Sequence, residues 1–186
     1  AMYYLTISIV FLAMVYLPTE SIVLPKYFSD IDDPRGLGYV LSSMAAGGIA
    51  TTLAYPKLVK HFKKRTIVIG ALAATSLAMI PMTFFPPLGL FVLAGFLLGL
   101  GWGPMNPLMN SMVQQRVAPH IQGRVFGVQT SLFYASGPIG MFVTGVSVDA
   151  FGVRPVYIAA VSILIVFQLF IMFLPDLHDL DREPTY

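Results

Sequence analysis

The sequence predicts an all-α membrane protein built from six transmembrane helices. Three observations carry that prediction. Hydrophobic residues make up 56% of the 186 residues and charged residues only 11%, against about 25% charged in an ordinary soluble domain. Mean hydropathy is +0.77. The apolar residues also fall into stretches of the length that a helix needs to cross a hydrocarbon core, about 20 residues. A chain with so few charges cannot cover a water-exposed surface, which excludes a soluble enzyme, a disordered tail and a basic nucleic-acid binder. The net charge of +2 implies no polyanionic partner. The absence of Cys removes disulfide and thiolate chemistry.

The six stretches run over 2–26, 36–56, 66–85, 88–113, 125–148 and 155–174. Short connections rich in Pro, Gly or charge divide them. They are too long, and too uniformly apolar, for barrel strands of about 10 residues with a period of two. Pro18, Pro104, Pro107 and Pro138 fall inside spans, where packed membrane helices tolerate kinks. The chain starts with Ala1 and an apolar stretch that lacks a basic flank and a cleavage site, so it reads as beginning within a longer protein rather than with a signal peptide.

Orientation follows from Lys and Arg. With six spans both termini share a side. That side carries Lys57, Lys60, Lys63, Lys64, Arg65, Arg116, Arg124 and Arg182, eight cations against three (Lys26, Arg35 and Arg154) on the other. The termini and basic loops are therefore expected to be cytoplasmic. The polar, acidic tail over 175–186 joins them.

An internal repeat organises the spans. The turn beginning at Tyr55 and ending at Arg65 follows the second span. The turn beginning at Gly145 and ending at Pro155 follows the fifth, 90 residues later. Each lies between the second and third helix of a trio, which divides the chain into three-helix repeats over 1–85 and 86–174. The later turn reads G-x-x-x-D-x-x-G-x-R. Gly145 allows close packing, Asp149 can cap the turn that follows, and Gly152 can take a positive φ.

These features resemble the major facilitator superfamily, whose loop pattern between the second and third helices of each half is G-x-x-x-D-R-x-G-R-R. Lys60, Lys63 and Lys64 fall on its basic positions, while Tyr55, Val59 and Phe62 replace its Gly, Asp and Gly. The run from Gln114 through Val117, Pro119, Gly123, Arg124 and Val125 to Gly127 is similar to the link between the tenth and eleventh helices of drug and siderophore exporters, such as macrolide-efflux-like proteins. The resemblance implies helices seven to twelve of a twelve-helix secondary transporter. It implies an N-terminal six-helix half, a small amphipathic substrate, protons and the lipid bilayer as partners, and a bacterial cytoplasmic membrane as location. No cofactor is implied.

Polar side chains at membrane depth must face protein or water. They cluster in the first, second, fourth and fifth spans, which in the superfamily line the cavity. The third and sixth spans, with little beyond Thr75, Ser76, Ser162 and Gln168, look lipid-facing. Candidate cavity residues are Glu20, Asn106, Asn110, Gln129 and Tyr134. Glu20 is the acid within a span, so it either binds a proton, pairs with a cationic substrate or is solvated near the outer interface. Asn106 and Asn110, one turn apart, point at a cavity or bond a neighbouring helix. Trp102 stacks on a substrate or packs. Candidate gating and turn residues are Lys60, Lys63, Lys64, Arg65, Gly123, Arg124, Gly145, Asp149 and Gly152; for the basic ones the alternative is a topology anchor or lipid headgroup contact.

Gly95, Gly99 and Gly103 allow close helix approach. The run Ser136 to Gly140 resembles the G-P-x-x-G signature of antiporters. The 10 Met and 14 Phe suit a promiscuous apolar pocket or lipid-facing bulk. His61, His120 and His178 lack metal spacing, and no hydrolase or P-loop motif is present. The leading expectation is half of a proton-coupled exporter working by alternating access. The alternatives are an importer or uniporter of the same fold, or a non-transporting membrane interaction module.

Overall fold

A computed structural model describes residues 2–84 and 87–172. Six helical passes in it are long and apolar enough to cross a membrane, and among the described residues all regular structure is helical. The acidic tail lies outside the described residues.

The first pass comprises α1 (Met2–Pro18), a π turn (Thr19–Val23) and α2 (Leu24–Asp30). Proline explains the interruption. In an unbroken α-helix the Pro25 ring would press on the Ser21 carbonyl. One extra residue in the turn relieves that contact, and the Leu24 N–H donates to the Thr19 carbonyl, a five-residue step. Pro18 has no N–H to offer the Met14 carbonyl, and beside it the Thr19 hydroxyl donates to the Val15 carbonyl at 2.7 Å.

The second pass, α3 (Pro34–His61), starts on an Asp-Pro pair. The Asp33 carboxylate accepts from the Gly36 N–H at 2.9 Å, and Pro34 occupies a first-turn position that needs no donor. The third pass is α4 (Lys64–Thr83). The fourth is α5 (Leu88–Trp102) followed by α6 (Met105–Arg116), broken at Gly103 and Pro104. Here two prolines remove donors. The Gly103 carbonyl would accept from residue 107 in a continuous helix, but Pro107 has no N–H. The Thr52 hydroxyl of α3 donates to that carbonyl instead, at 2.9 Å. Thr52→Val should therefore leave a carbonyl unpaired at membrane depth and cost about 1 kcal/mol. A lowered thermal unfolding midpoint in detergent checks this, and an unchanged midpoint would contradict the assigned role.

The fifth and sixth passes are α7 (Pro119–Phe151) and α8 (Val153–Met172). They join at Gly152, whose φ of 84° is open to glycine at little cost.

The packing follows an exchange pattern. α3 lies along α5 as α1 lies along α7. α4 packs on α5 as α8 packs on α1, and α4 meets α8. Swapping the first three passes for the last three maps these pairings onto one another. The core includes Leu12, Leu24, Phe28, Leu72, Met79 and Phe91.

Two expectations are corrected. The third span does not present its polar groups to lipid: Thr75 and Ser76 are buried inside the bundle, and so is Gln168 of the sixth. Hydropathy cannot distinguish an apolar face buried among helices, as on α4, from the mainly exposed apolar face of α8. Gly145 is not a close-packing glycine, because a side-chain carbon there would meet only Ile22 Cδ1 at 4.0 Å. Gly140 has that role, since a side-chain carbon on it would overlap the Met14 carbonyl.

Candidate functional site: a cleft at the broken helices

Glu20, Asn106, Asn110, Gln129 and Tyr134 all line one cleft of about 430 Å³ between α1, α6 and α7. The interruptions bring them there. Glu20 sits in the π turn, and Asn106 lies in the first turn of the helix after the Gly103–Pro104 break. Asn110 follows one turn later on the same face. Glu20 is half-buried, while Asn106, Asn110 and Tyr134 are exposed in the cleft. The Gln129 amide donates to the Thr6 hydroxyl at 3.3 Å, tying α7 to α1.

An aromatic row backs these polar groups. Tyr16 and Trp102 stack with centroids 4.4 Å apart and planes 2° from parallel. Phe133 lies 6.1 Å from Trp102, and Tyr134 meets Phe133 edge-on at 5.7 Å. Tyr16 and Glu20, one turn apart on the first pass, both border this cleft. Trp102 thus packs against a protein ring and also lines the cleft.

A second cleft, about 590 Å³, lies between α1, α3 and α5. It shares Tyr16, Glu20, Trp102 and Asn106 with the first. The stacked pair stands between them, with one acid and one amide reachable from both.

The sequence carried a signal for this centre that the loop motifs obscured. Tyr16, Pro18 and Glu20 in the first pass form an aromatic-x-Pro-x-polar run. Trp102, Pro104 and Asn106 in the fourth repeat it, each 86 residues later. Interrupted helices at corresponding positions of a repeat mark binding sites in membrane transporters.

The loop candidates stand apart: none of them lines either cleft. Lys60 and Lys63 are exposed around the α3–α4 turn, and Arg65 is half-buried. The Lys64 ammonium donates to the Gln115 side chain, joining the start of α4 to the end of α6. Gly123 and Arg124 are exposed in the early turns of α7. Asp149, exposed near the end of α7, shares an end of the bundle with Lys26 and lies within its electrostatic range.

Gly95, Gly99 and Gly101 of α5 serve packing. A side-chain carbon on Gly99 would overlap the Met44 carbonyl, and one on Gly47 of α3 would overlap the Phe96 carbonyl. In the Ser136 to Gly140 run, Gly137 and Gly140 seat α7 on α1, with Gly137 facing the Leu17 side chain.

Six helical passes long and apolar enough to cross a membrane, with a polar and aromatic cleft at the broken ones, define an integral membrane protein. Residues 1–141 match the family model described as Major Facilitator Superfamily. The chain belongs to that superfamily. It is 37% identical over 169 residues to the multidrug efflux pump Tap of Mycobacterium tuberculosis, covering 91% of this chain and 40% of the relative. It is 34% identical over 166 residues to Tap of Mycolicibacterium fortuitum, covering 89% and 41%. An uncharacterized MFS-type transporter of Bacillus subtilis is 24% identical over 128 residues, covering 67% and 33%. The chain therefore spans about two-fifths of the length of the Tap proteins it matches.

Proposed function

We propose that the chain is the C-terminal half, helices seven to twelve, of a proton-coupled exporter of amphipathic small molecules. The observation that carries this reading is the convergence of Glu20, Asn106, Asn110, Gln129 and Tyr134 on one cleft lined by aromatic rings. An acid beside aromatic faces suits a substrate with a cationic and an apolar part. The multidrug efflux pumps among its relatives support export. A cleft in this position also weighs against a purely interacting module, which would pack these residues against lipid or protein.

In this proposal the two three-helix units are 1–85 and 86–174. The half rocks against an N-terminal six-helix half, and Glu20 exchanges protons as the site alternates between sides. Lys60, Lys63, Lys64, Arg65, Gly123 and Arg124 stand at the cytoplasmic end, where they steady the inward side, and Gly152 shapes the outer turn that follows Gly145 and Asp149 of α7. The membrane is the bacterial cytoplasmic membrane, with both termini inside. The role is transport, not catalysis.

The test is flux in vesicles that carry the chain together with its complementary half. Ethidium should move when a proton gradient is imposed and stop when an ionophore collapses it. Gradient-independent flux overturns the coupling. Lack of flux for every amphipathic cation tried overturns the exporter reading.

A further inference from the structure

The geometry points to a divided binding site, in which the Tyr16–Trp102 stack separates an aromatic compartment from an aliphatic one and Gly48 sets the size of the second. The inference rests on the reading of the cleft as the substrate site.

Four observations support it. The two clefts are of comparable size, about 430 and 590 Å³, and meet only at Tyr16, Glu20, Trp102 and Asn106. They are related by the exchange that maps α1 onto the fourth pass and α3 onto α7, so they are two copies of one architectural position. Their distinguishing walls differ in chemistry. The first has Phe126, Phe133 and Tyr134. The second has Leu41, Ala45, Ile49 and Leu53, with no aromatic side chain beyond the shared pair. Finally, the second cleft is roomy because of Gly48. A side-chain carbon there would meet only the Gly99 carbonyl, at an ordinary 3.8 Å, whereas one on neighbouring Gly47 would strike backbone. Position 48 therefore has space that its packing does not require to be empty.

A planar aromatic cation gains most from the first compartment, where its face can lie against rings. A cation with alkyl arms gains most from the second, which offers apolar area without ring geometry. Both place their charge near Glu20. One acid would thus serve two classes of ligand, which compete because they share it.

Trp102 is the sole tryptophan of the chain and borders both compartments. Its fluorescence, taken as the difference between the parent protein and Trp102→Phe, reports occupancy of either. The probes are ethidium and tetrapentylammonium, titrated in detergent onto the chain assembled with its complementary half. Gly48→Leu should weaken tetrapentylammonium binding roughly tenfold and leave ethidium within about twofold. Phe133→Leu should do the reverse, with losses of roughly the same size. Gly48→Ala should weaken tetrapentylammonium binding less than Gly48→Leu does, and a parent-like thermal midpoint for both separates compartment filling from damage to the α3–α5 seat. Equal effects on both probes, or none, would overturn the division, and so would a parent protein that binds neither. Retained selective binding with no gradient-driven flux would instead overturn the proposed transport while leaving the divided site intact.

Discussion

Glu20→Gln should lower gradient-driven efflux on the order of 100-fold while leaving the fold intact. The substitution keeps shape and hydrogen-bonding capacity and removes only the exchangeable charge. Glu20 is half-buried in a π turn, one turn from Tyr16 and facing both clefts. The amide fits the same space, so the thermal midpoint should stay close to that of the parent. Coupling would be lost because the two sides of the cycle could no longer differ in protonation at this site. Efflux by Glu20→Gln at the parent's rate, with the gradient dependence retained, would remove Glu20 from the mechanism.

The second large effect is structural. Gly99→Val should destabilise the bundle by at least about 3 kcal/mol, because the new side chain has no room to form. Its first carbon would overlap the Met44 carbonyl and stand 2.9 Å from the Gly48 nitrogen, and both are backbone atoms of α3 that cannot rotate away. Gly89→Ala is the matched control: nothing lies within 4 Å of a side-chain carbon there, at the start of α5. Thermal unfolding in detergent, read against that control, separates helix packing from any general effect of losing a glycine. Equal midpoints for the two variants would show that α3 and α5 are not seated on this contact.

The membrane class and the number of passes were legible because lipid imposes a length and a polarity that the chain must obey. The ends of the passes were less legible. α7 begins at Pro119, ahead of the apolar stretch at Val125, and runs through His120, Gln122 and Arg124. Hydropathy reports where lipid is, and a helix that continues past the lipid into water gives it no signal. α3 likewise continues through Pro56 to His61, into a charged end that hydropathy ignores. The polar residues of the cleft were visible one at a time, since each stood out against an apolar background. Their convergence was not, because it depends on where the two broken passes turn. The Tyr16–Trp102 stack was missed for the same reason: neither ring is unusual in a membrane helix, and only their equivalent places in the repeat link them. Thr75, Ser76 and Gln168 were misplaced because an apolar helix reads alike whether its neighbours are lipids or other helices.

The seating of α3 on α5 has a mechanical consequence. Where two helices touch through backbone, no layer of side chains remains to shear, and Gly101 brings α5 equally close to Ala71 and Thr75 of α4. The three helices form a stiff plate. The helical hydrogen-bond ladder is interrupted outside that plate, at the Gly103–Pro104 break and at the π turn after Pro18. Both interruptions border the two clefts, so a change of cleft width is expected at them and not within the glycine-seated plate.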